Sequence, residues 1–169
     1  MPRRTKVFYF GYGANRDAEM INALIGRKPK GKPAKLFAHK LYVQAWTDIP
    51  NEVRDELSPH WTDTFKSYIV CPTENSSDFV VGKLWEISRS ERKILDAWEV
   101  SGKWYDIDVL QYEDNDGVNV QIEVPMIKNA GNSKQVSGKY YKNFINSKDK
   151  MLLVAKKLRS KYTANENRL

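Results

Sequence analysis

Apolar positions near the start of the chain follow first a strand pattern and then a helix pattern. Residues 7–12 are mostly aromatic, which predicts a strand. In residues 15–26 the apolar side chains recur on one helical stripe, with Asn15 suited to be the N-cap and Gly26 suited to end the helix. Residues 11–15, Gly-Tyr-Gly-Ala-Asn, are therefore predicted to form a strand-to-helix turn.

The next hundred residues alternate between short apolar runs and polar connections. Residues 27–33 contain Pro, Gly and Lys and are predicted to form a basic loop, whereas residues 34–46 predict one or two strands. The polar residues 47–63 are predicted to form a long connecting segment that contains at most a short helix. Residues 67–72 and 79–87 predict two further strands separated by a turn.

After these strands the apolar spacing becomes helical and then returns to strands. Ser88 and Glu91 have the spacing of a capping box, and an apolar stripe follows up to Trp98. Residues 104–112 and 118–127 predict a hairpin, because Asp116-Gly117 lies between them. A loose segment and two helical stretches then follow, and the last of these has apolar residues at helical spacing.

The order of these elements predicts the α+β class, with a compact mixed sheet or barrel flanked by helices. The chain has 169 residues, which suits one domain spanning residues 1–169. Residues 146–169 are predicted to be a basic C-terminal helix of that domain. The sequence contains no internal repeat or interdomain linker and gives no indication of oligomeric state.

The net charge of +7 changes this interpretation little, because the basic residues lie at the two ends of the chain. Residues 34–126 carry seventeen acidic side chains against nine basic ones, and this excess would repel a polyanion. Solvated lysine-rich faces are favoured over a nucleic-acid site, which stays an alternative for the basic ends.

The cysteine, the histidines and the lengths of the apolar runs limit the cellular locations and the kinds of site that the sequence allows. Cys71 is the single cysteine, which favours a reducing, cytoplasmic location, and no apolar run approaches the roughly 20 residues of a membrane span. His39, His60 and Cys71 lack ligand spacing, so neither zinc nor another metal is expected. A buried, inert thiol is favoured for Cys71 over a Cys-His nucleophile pair. No Walker motif or nucleophile elbow is present, and no cofactor is expected.

Two features remain as candidates for chemistry. The amides at the start of a helix can bind an anion, so residues 11–15 are either an ordinary turn or a binding loop. Glu99 borders the apolar stripe at the end of its helix, where the helix dipole and aromatic neighbours would raise its pKa toward that of a general acid/base. The alternative is that Glu99 is a solvated glutamate beside Lys103. Asp96 is the nearest other carboxylate that could take the acid/base role.

Together, these two segments resemble the γ-glutamylcyclotransferase-like family, which includes the AIG2-like proteins. The family's mark is an aromatic strand running into Tyr-Gly-Ser-Asn, seen here as YFGYGAN at residues 9–15. Residues 34–43 and 80–99 are similar to later family segments, the second being a strand followed by an acidic-ended helix. VSGKYY at residues 136–141 is similar to the Ser-x-x-Tyr motif that occurs late in the family's sequences. The resemblance covers roughly residues 7–145.

The resemblance implies a β-barrel with surrounding helices and a pocket for a γ-glutamyl group. Carried over, the amide-donating loop is Tyr12, Gly13, Ala14 and Asn15, the catalytic glutamate is Glu99, and the pocket tyrosines are Tyr105 and Tyr140. The implied reaction is attack by the substrate's own α-amine on its γ-carbonyl, which releases 5-oxoproline and an amine. A silent module of the same fold that binds a small ligand is the alternative. Residues 47–63 are expected to shape the side of the leaving amine.

Three departures from the family pattern bear on the substrate. Ala14 replaces the usual serine but keeps its backbone amide. Asp106 stands where many relatives have an arginine, which would remove or reverse any charge pairing there. Pro125 and Met126 stand where relatives often have an aromatic residue.

Overall fold

A computed structural model describes residues 6–114 and 116–166. In chain order the elements are β1 (Lys6–Gly11), α1 (Ala18–Ile25), β2 (Gly31–Phe37), β3 (His39–Ala45), α2 (Asn51–Leu57), β4 (Lys66–Pro72), β5 (Phe79–Ser88), α3 (Arg89–Trp98), β6 (Asp106–Glu113), β7 (Asn119–Met126), β8 (Lys134–Val136) and α4 (Lys148–Glu166). Short 3₁₀ helices lie at Gly13–Arg16 and Trp46–Asp48. Within the described residues, no helix has both the length and the apolar character needed to cross a membrane.

Two sheets form a curled half-barrel. The larger has strand order β2-β5-β1-β7-β6 and the smaller has the order β4-β3-β8. β1 pairs antiparallel with β5 but parallel with β7, so the larger sheet is mixed. The sheets meet where the Ile127 amide donates to the Val70 carbonyl at 3.2 Å and the Val81 amide donates to the Gly138 carbonyl at 2.8 Å. The predicted α+β class and flanked, mixed barrel are confirmed.

The central position of β1 explains its apolar sequence. Its side chains alternate between the two faces of the sheet, as in any strand. Tyr9, 1% exposed, packs in the core cluster beneath α1, α3 and α4, whereas the fully buried Phe10 packs with β2, β5 and β7 inside the half-barrel. A strand covered on both faces needs apolar side chains on both, and this requirement accounts for the aromatic run.

The helices pack on the outer face of the larger sheet. Ser88 and Glu91 form the predicted capping box of α3, and Gly26 ends α1 with φ 85°. On α4, Met151, Val154 and Ala155 are buried against the body of the protein, as their spacing predicted. The predicted limit of this C-terminal helix at residue 169 lies outside the described residues.

Three local predictions were wrong. Asp17, not Asn15, caps α1, and its carboxylate accepts from the amides of Glu19 and Met20. Residues 31–33, predicted to be loop, begin β2. This strand lies at the edge of its sheet, where proline is tolerated. In the described residues after β8 there is one helix rather than two, because residues 137–147 have no regular structure.

Candidate active site

A cavity of about 380 Å³ lies where the turn after β1 faces the end of α3. Its walls also include residues of α2, β4 and α4. The polar groups of its inner end are Tyr9, Tyr12, Asn15, Ser67, Glu99 and Tyr105. The structure therefore brings together Glu99 and the loop at residues 12–15, which lie more than eighty residues apart in the sequence.

Two glycines shape the turn after β1. A side chain at Gly11 would place its Cβ 2.2 Å from the Asn15 carbonyl oxygen, so only glycine lets the chain turn back this tightly. Gly13 has φ +60° and packs on the ring of Tyr68. Trp85 from β5 fixes the end of the turn, because its indole N–H donates to the Asn15 carbonyl at 2.9 Å.

The backbone amides of this turn are not equally available to a ligand. The Gly13 amide donates to the Tyr141 hydroxyl at 3.3 Å, and the Asn15 amide donates to the Tyr12 carbonyl at 3.2 Å. Ala14 lines the cavity, and no residue of the described chain accepts a hydrogen bond from its amide. The Ala14 N–H is thus available to a ligand, as is the Tyr12 N–H, for which the described chain also offers no acceptor.

Glu99 is the first residue after α3, and its amide donates to the Leu95 carbonyl at 2.9 Å. It is only 5% exposed, which excludes the alternative of a solvated glutamate. Lys103, its expected neighbour in that alternative, instead pairs with Glu56 at 2.7 Å. The Glu99 Oε1 accepts a hydrogen bond from the Tyr9 hydroxyl, which in turn accepts from the Asn15 side-chain amide at 2.9 Å.

Burial raises the pKa of Glu99 to about 7, despite the opposing effects of the Arg92 charge and the Tyr9 hydroxyl. Burial also raises the pKa of Tyr9 well above its ordinary value, and the Glu99 charge adds to that shift. Tyr9 therefore stays protonated and donates, whereas Glu99 changes its charge near neutral pH. A carboxyl group of this kind can both accept and return a proton.

The sequence interpretation missed Arg92, which lies beneath Glu99. Its side chain is 3% exposed, with Nη1 3.0 Å from Asp96 and 3.6 Å from Glu99, and Nε 3.8 Å from Glu123. Its guanidinium also lies 4.9 Å from the centre of the Tyr9 ring. The signal was present in the sequence, because positions 92, 96 and 99 share one face of a helix.

Tyr12 and Tyr105 line the inner end of the cavity, but their hydroxyls are engaged by the protein. Tyr12 donates to the Pro125 carbonyl at 2.6 Å. Tyr105 lies 2.7 Å from the Ser67 Oγ and also donates to the Tyr68 carbonyl. Burial raises the pKa of both tyrosines, so both remain neutral. The two rings shape the cavity. Pro125, one of the departures from the family pattern, provides the carbonyl that accepts from Tyr12.

The assignment of Tyr140 to the pocket was wrong. Tyr140 is 80% exposed and is not among the residues that line the cavity. Its neighbour Tyr141 is the tyrosine that reaches the turn, accepting from Gly13 and donating to the Val81 carbonyl. The two tyrosines lie in a segment without regular structure, so no periodicity in the sequence distinguishes the inward one.

Other candidate residues lie away from the cavity. Cys71 is 4% exposed on β4, and burial raises the pKa of its thiol to about 11, as befits an inert core residue. The His39 Nδ1 lies 2.8 Å from the Phe37 carbonyl. Asp106 is exposed at the start of β6, and Met126 is buried in the core. Over the described ranges, no cluster of His, Cys, Asp or Glu could hold a metal ion.

Solved structures similar to this one share its fold. A structure titled gamma-glutamyl cyclotransferase aligns with a TM-score of 0.56 and 17% identity, over 78% of this chain and 70% of that one. The chain has the γ-glutamylcyclotransferase-like fold. An uncharacterized protein from Homo sapiens aligns on the same fold with a TM-score of 0.54 and 17% identity, over 77% of this chain and 69% of that one.

A solution structure from Arabidopsis thaliana extends this similarity along the chain. It aligns with a TM-score of 0.51 and 17% identity, covering 95% of this chain and 87% of that one. No protein-family model and no curated protein matches the sequence. The comparisons therefore show a γ-glutamylcyclotransferase-like fold.

Proposed function

We propose that the protein is a γ-glutamylcyclotransferase-type enzyme that acts on a small γ-glutamyl compound. The observation that carries this proposal is the buried Glu99, with a pKa raised to about 7, in the wall of a cavity that it shares with the turn at residues 12–15. The shared fold with a gamma-glutamyl cyclotransferase supports the same reaction class. The single cysteine also favours a cytoplasmic site of action.

In the proposed reaction the substrate supplies its own nucleophile. The α-amine attacks the γ-carbonyl carbon, the new C–N bond closes a five-membered ring, and the bond to the leaving nitrogen breaks. Because the amine is tethered to its target, proximity supplies much of the acceleration, with effective molarities of about 10⁵ M or more in well-oriented cases. No nucleophile from the protein is required.

Proton transfer is the task left to the protein. Ionised Glu99 takes a proton from the α-ammonium group, which frees the attacking lone pair, and then gives a proton to the leaving nitrogen. The Tyr9 hydroxyl, held by Asn15, orients the carboxylate through Oε1. The Ala14 amide is suited to bind the substrate carboxylate or the oxyanion that develops on the γ-carbonyl.

The test is release of 5-oxoproline from a panel of γ-glutamyl amines, amino acids and peptides. Glu99→Gln keeps the shape of the side chain but cannot accept the proton, so we expect kcat/KM to fall by about 10²-fold or more. Circular dichroism and thermal melting of the variant establish that it is folded. Full activity in folded Glu99→Gln would exclude Glu99 as the acid/base. Saturable binding without product in the wild type would instead identify a silent binding module.

A further inference from the structure

A second part of the cavity wall is formed by residues of α2, by the segment that follows it and by α4. This part of the wall is apolar: the rings of Trp61 and Phe65 lie 4.8 Å apart, and both residues are only 8% exposed. Met151 and Leu158 from α4 complete this wall. A γ-glutamyl group is polar at both of its ends, so these side chains offer nothing that its recognition requires.

The outer edge of this part carries positive charge. Lys157 and Lys161 line the cavity from α4. The pKa of His60 is lowered, first by burial and then by these two lysines, which places their charges beside it. Glu56 is the acidic residue at this edge, and Lys103 neutralises it at 2.7 Å. The edge therefore favours an anion.

We infer that this second part of the cavity binds the leaving amine of the substrate and selects an amine that carries a bulky apolar group together with a carboxylate. The inference rests on the proposed function and deepens it by naming the substrate class. The aromatic and aliphatic wall receives the apolar group, while Lys157 and Lys161 attract the carboxylate. An amino acid with an aromatic side chain, linked through its α-nitrogen to the γ-carboxyl of glutamate, has both features.

The same features exclude other leaving groups. A small amine leaves the apolar wall exposed to water, and in a hydrophobic pocket each missing methylene costs about tenfold or more in kcat/KM. A cationic side chain meets the two lysines and is repelled. Exposed charges are weak, so the lysines contribute a factor of about two to five, which falls as salt is added.

Three compounds separate the two features. γ-Glutamyl-phenylalanine has the ring and the carboxylate, γ-glutamyl-phenethylamine has the ring alone, and γ-glutamyl-alanine has the carboxylate alone. We expect kcat/KM for the phenylalanine compound to exceed that for the alanine compound by at least tenfold. It should exceed that for the phenethylamine compound by about two- to fivefold.

Variants assign each preference to its residues. Leu158→Ser, at a half-buried position, should reduce the preference for phenylalanine over alanine, and Trp61→Ala should reduce it further if that variant folds. Lys157→Gln combined with Lys161→Gln should remove the advantage of phenylalanine over phenethylamine. The matched control combines Lys93→Gln with Lys156→Gln. It changes net charge equally at exposed positions outside the cavity and should keep that advantage.

Binding to Glu99→Gln, measured by calorimetry with the same compounds, separates this inference from the proposed function. Product release at equal kcat/KM for all three compounds overturns the inference and leaves the function standing. If Glu99→Gln binds the three compounds in the expected order of affinity but the wild type releases no 5-oxoproline, the proposed function is overturned and the substrate class is supported. Neither binding nor release with any compound overturns both.

Discussion

At the scale of single residues, the central feature is the contact between Glu99 and Arg92. A buried carboxylate costs several kcal/mol to ionise unless a cation compensates it, and Arg92 is that cation. Asp96, which contacts the same guanidinium, acts in the opposite direction and raises the pKa of Glu99. Arg92 therefore lowers the pKa of Glu99, and Asp96 raises it.

Removal of Arg92 should move the pH dependence of the reaction upward. Ionised Glu99 is the form that accepts the proton, so kcat/KM rises with pH through its pKa of about 7. Without the cation that pKa increases, and we expect Arg92→Gln to shift the acid limb of the pH profile up by about one unit. Arg92→Lys, which keeps the charge, should restore part of the shift.

The neighbouring acid supplies the control for this experiment. Asp96→Asn removes a negative charge that raises the pKa of Glu99, so it should shift the acid limb downward. Urea unfolding of each variant separates loss of stability from the change in proton affinity. An identical acid limb in Arg92→Gln and in the wild type would show that Arg92 has only a structural role.

Only some of the residues of the site could be predicted from the sequence. Glu99 stood out because it ends an amphipathic helix beside Trp98, a position that is compatible with either a buried or a solvated carboxylate. Arg92 was missed because a charged residue in a helix is ordinarily solvated. It is buried here because α3 packs against Tyr9 of β1, and the shared helix face of positions 92, 96 and 99 does not by itself show that this face is the covered one.

At the scale of elements, the turn from β1 into the short helix Gly13–Arg16 determines where the amides lie. Gly13 has φ +60°, and an added Cβ would lie 2.7 Å from the Tyr68 ring. Gly102 provides the comparison, because it has φ +87° with no atom within 4 Å of such a Cβ. The two positions share the backbone strain and differ in the steric contact.

We therefore expect Gly13→Ala to cost more stability than Gly102→Ala. The strain alone costs about 1 kcal/mol, and displacing the Tyr68 ring should add about 1–3 kcal/mol at residue 13. Gly13→Ala should also weaken substrate binding, because it moves the Ala14 amide. Urea unfolding and calorimetric titration measure the two effects. Equal losses of stability in both variants would contradict the importance of the Tyr68 contact.

Elements with strong local signals were predicted well from the sequence. The capping box of α3 and the glycine that ends α1 were located because their chemistry is local. The start of β2 was missed because Pro and Gly normally indicate a loop. Here Gly31 is required, since a side chain at that position would place its Cβ 2.4 Å from the Trp85 ring. That contact joins residues far apart in the sequence.

At the scale of the whole molecule, the buried Glu99 should make stability depend on pH. Its pKa is raised from 4.5 to about 7 in the folded state, so the folded protein holds a proton that the unfolded chain releases between these values. Folding stability contributed by this group is thus fully present below pH 4.5 and is lost as pH rises to about 7.

Glu99→Gln should remove this loss because the amide carries no titratable charge. We expect the variant to be more stable than the wild type at pH 8 by about 1–3 kcal/mol, with the difference shrinking toward pH 4.5. Parallel urea titrations at several pH values measure the difference. A constant gap between the two proteins across this range would show that the ionisation of Glu99 does not affect folding.

The arrangement of the larger sheet also affects how the protein is made. β1 is synthesised before the two strands that flank it, β5 and β7, which end at Ser88 and Met126. Its aromatic side chains therefore have no complete binding surface until residue 126 has emerged from the ribosome. Contacts between residues so distant in sequence form slowly. The strand that carries Tyr9 and leads into the amide turn therefore cannot be enclosed on both sides before β7 is available, and the pocket, which α4 also lines, cannot be completed earlier.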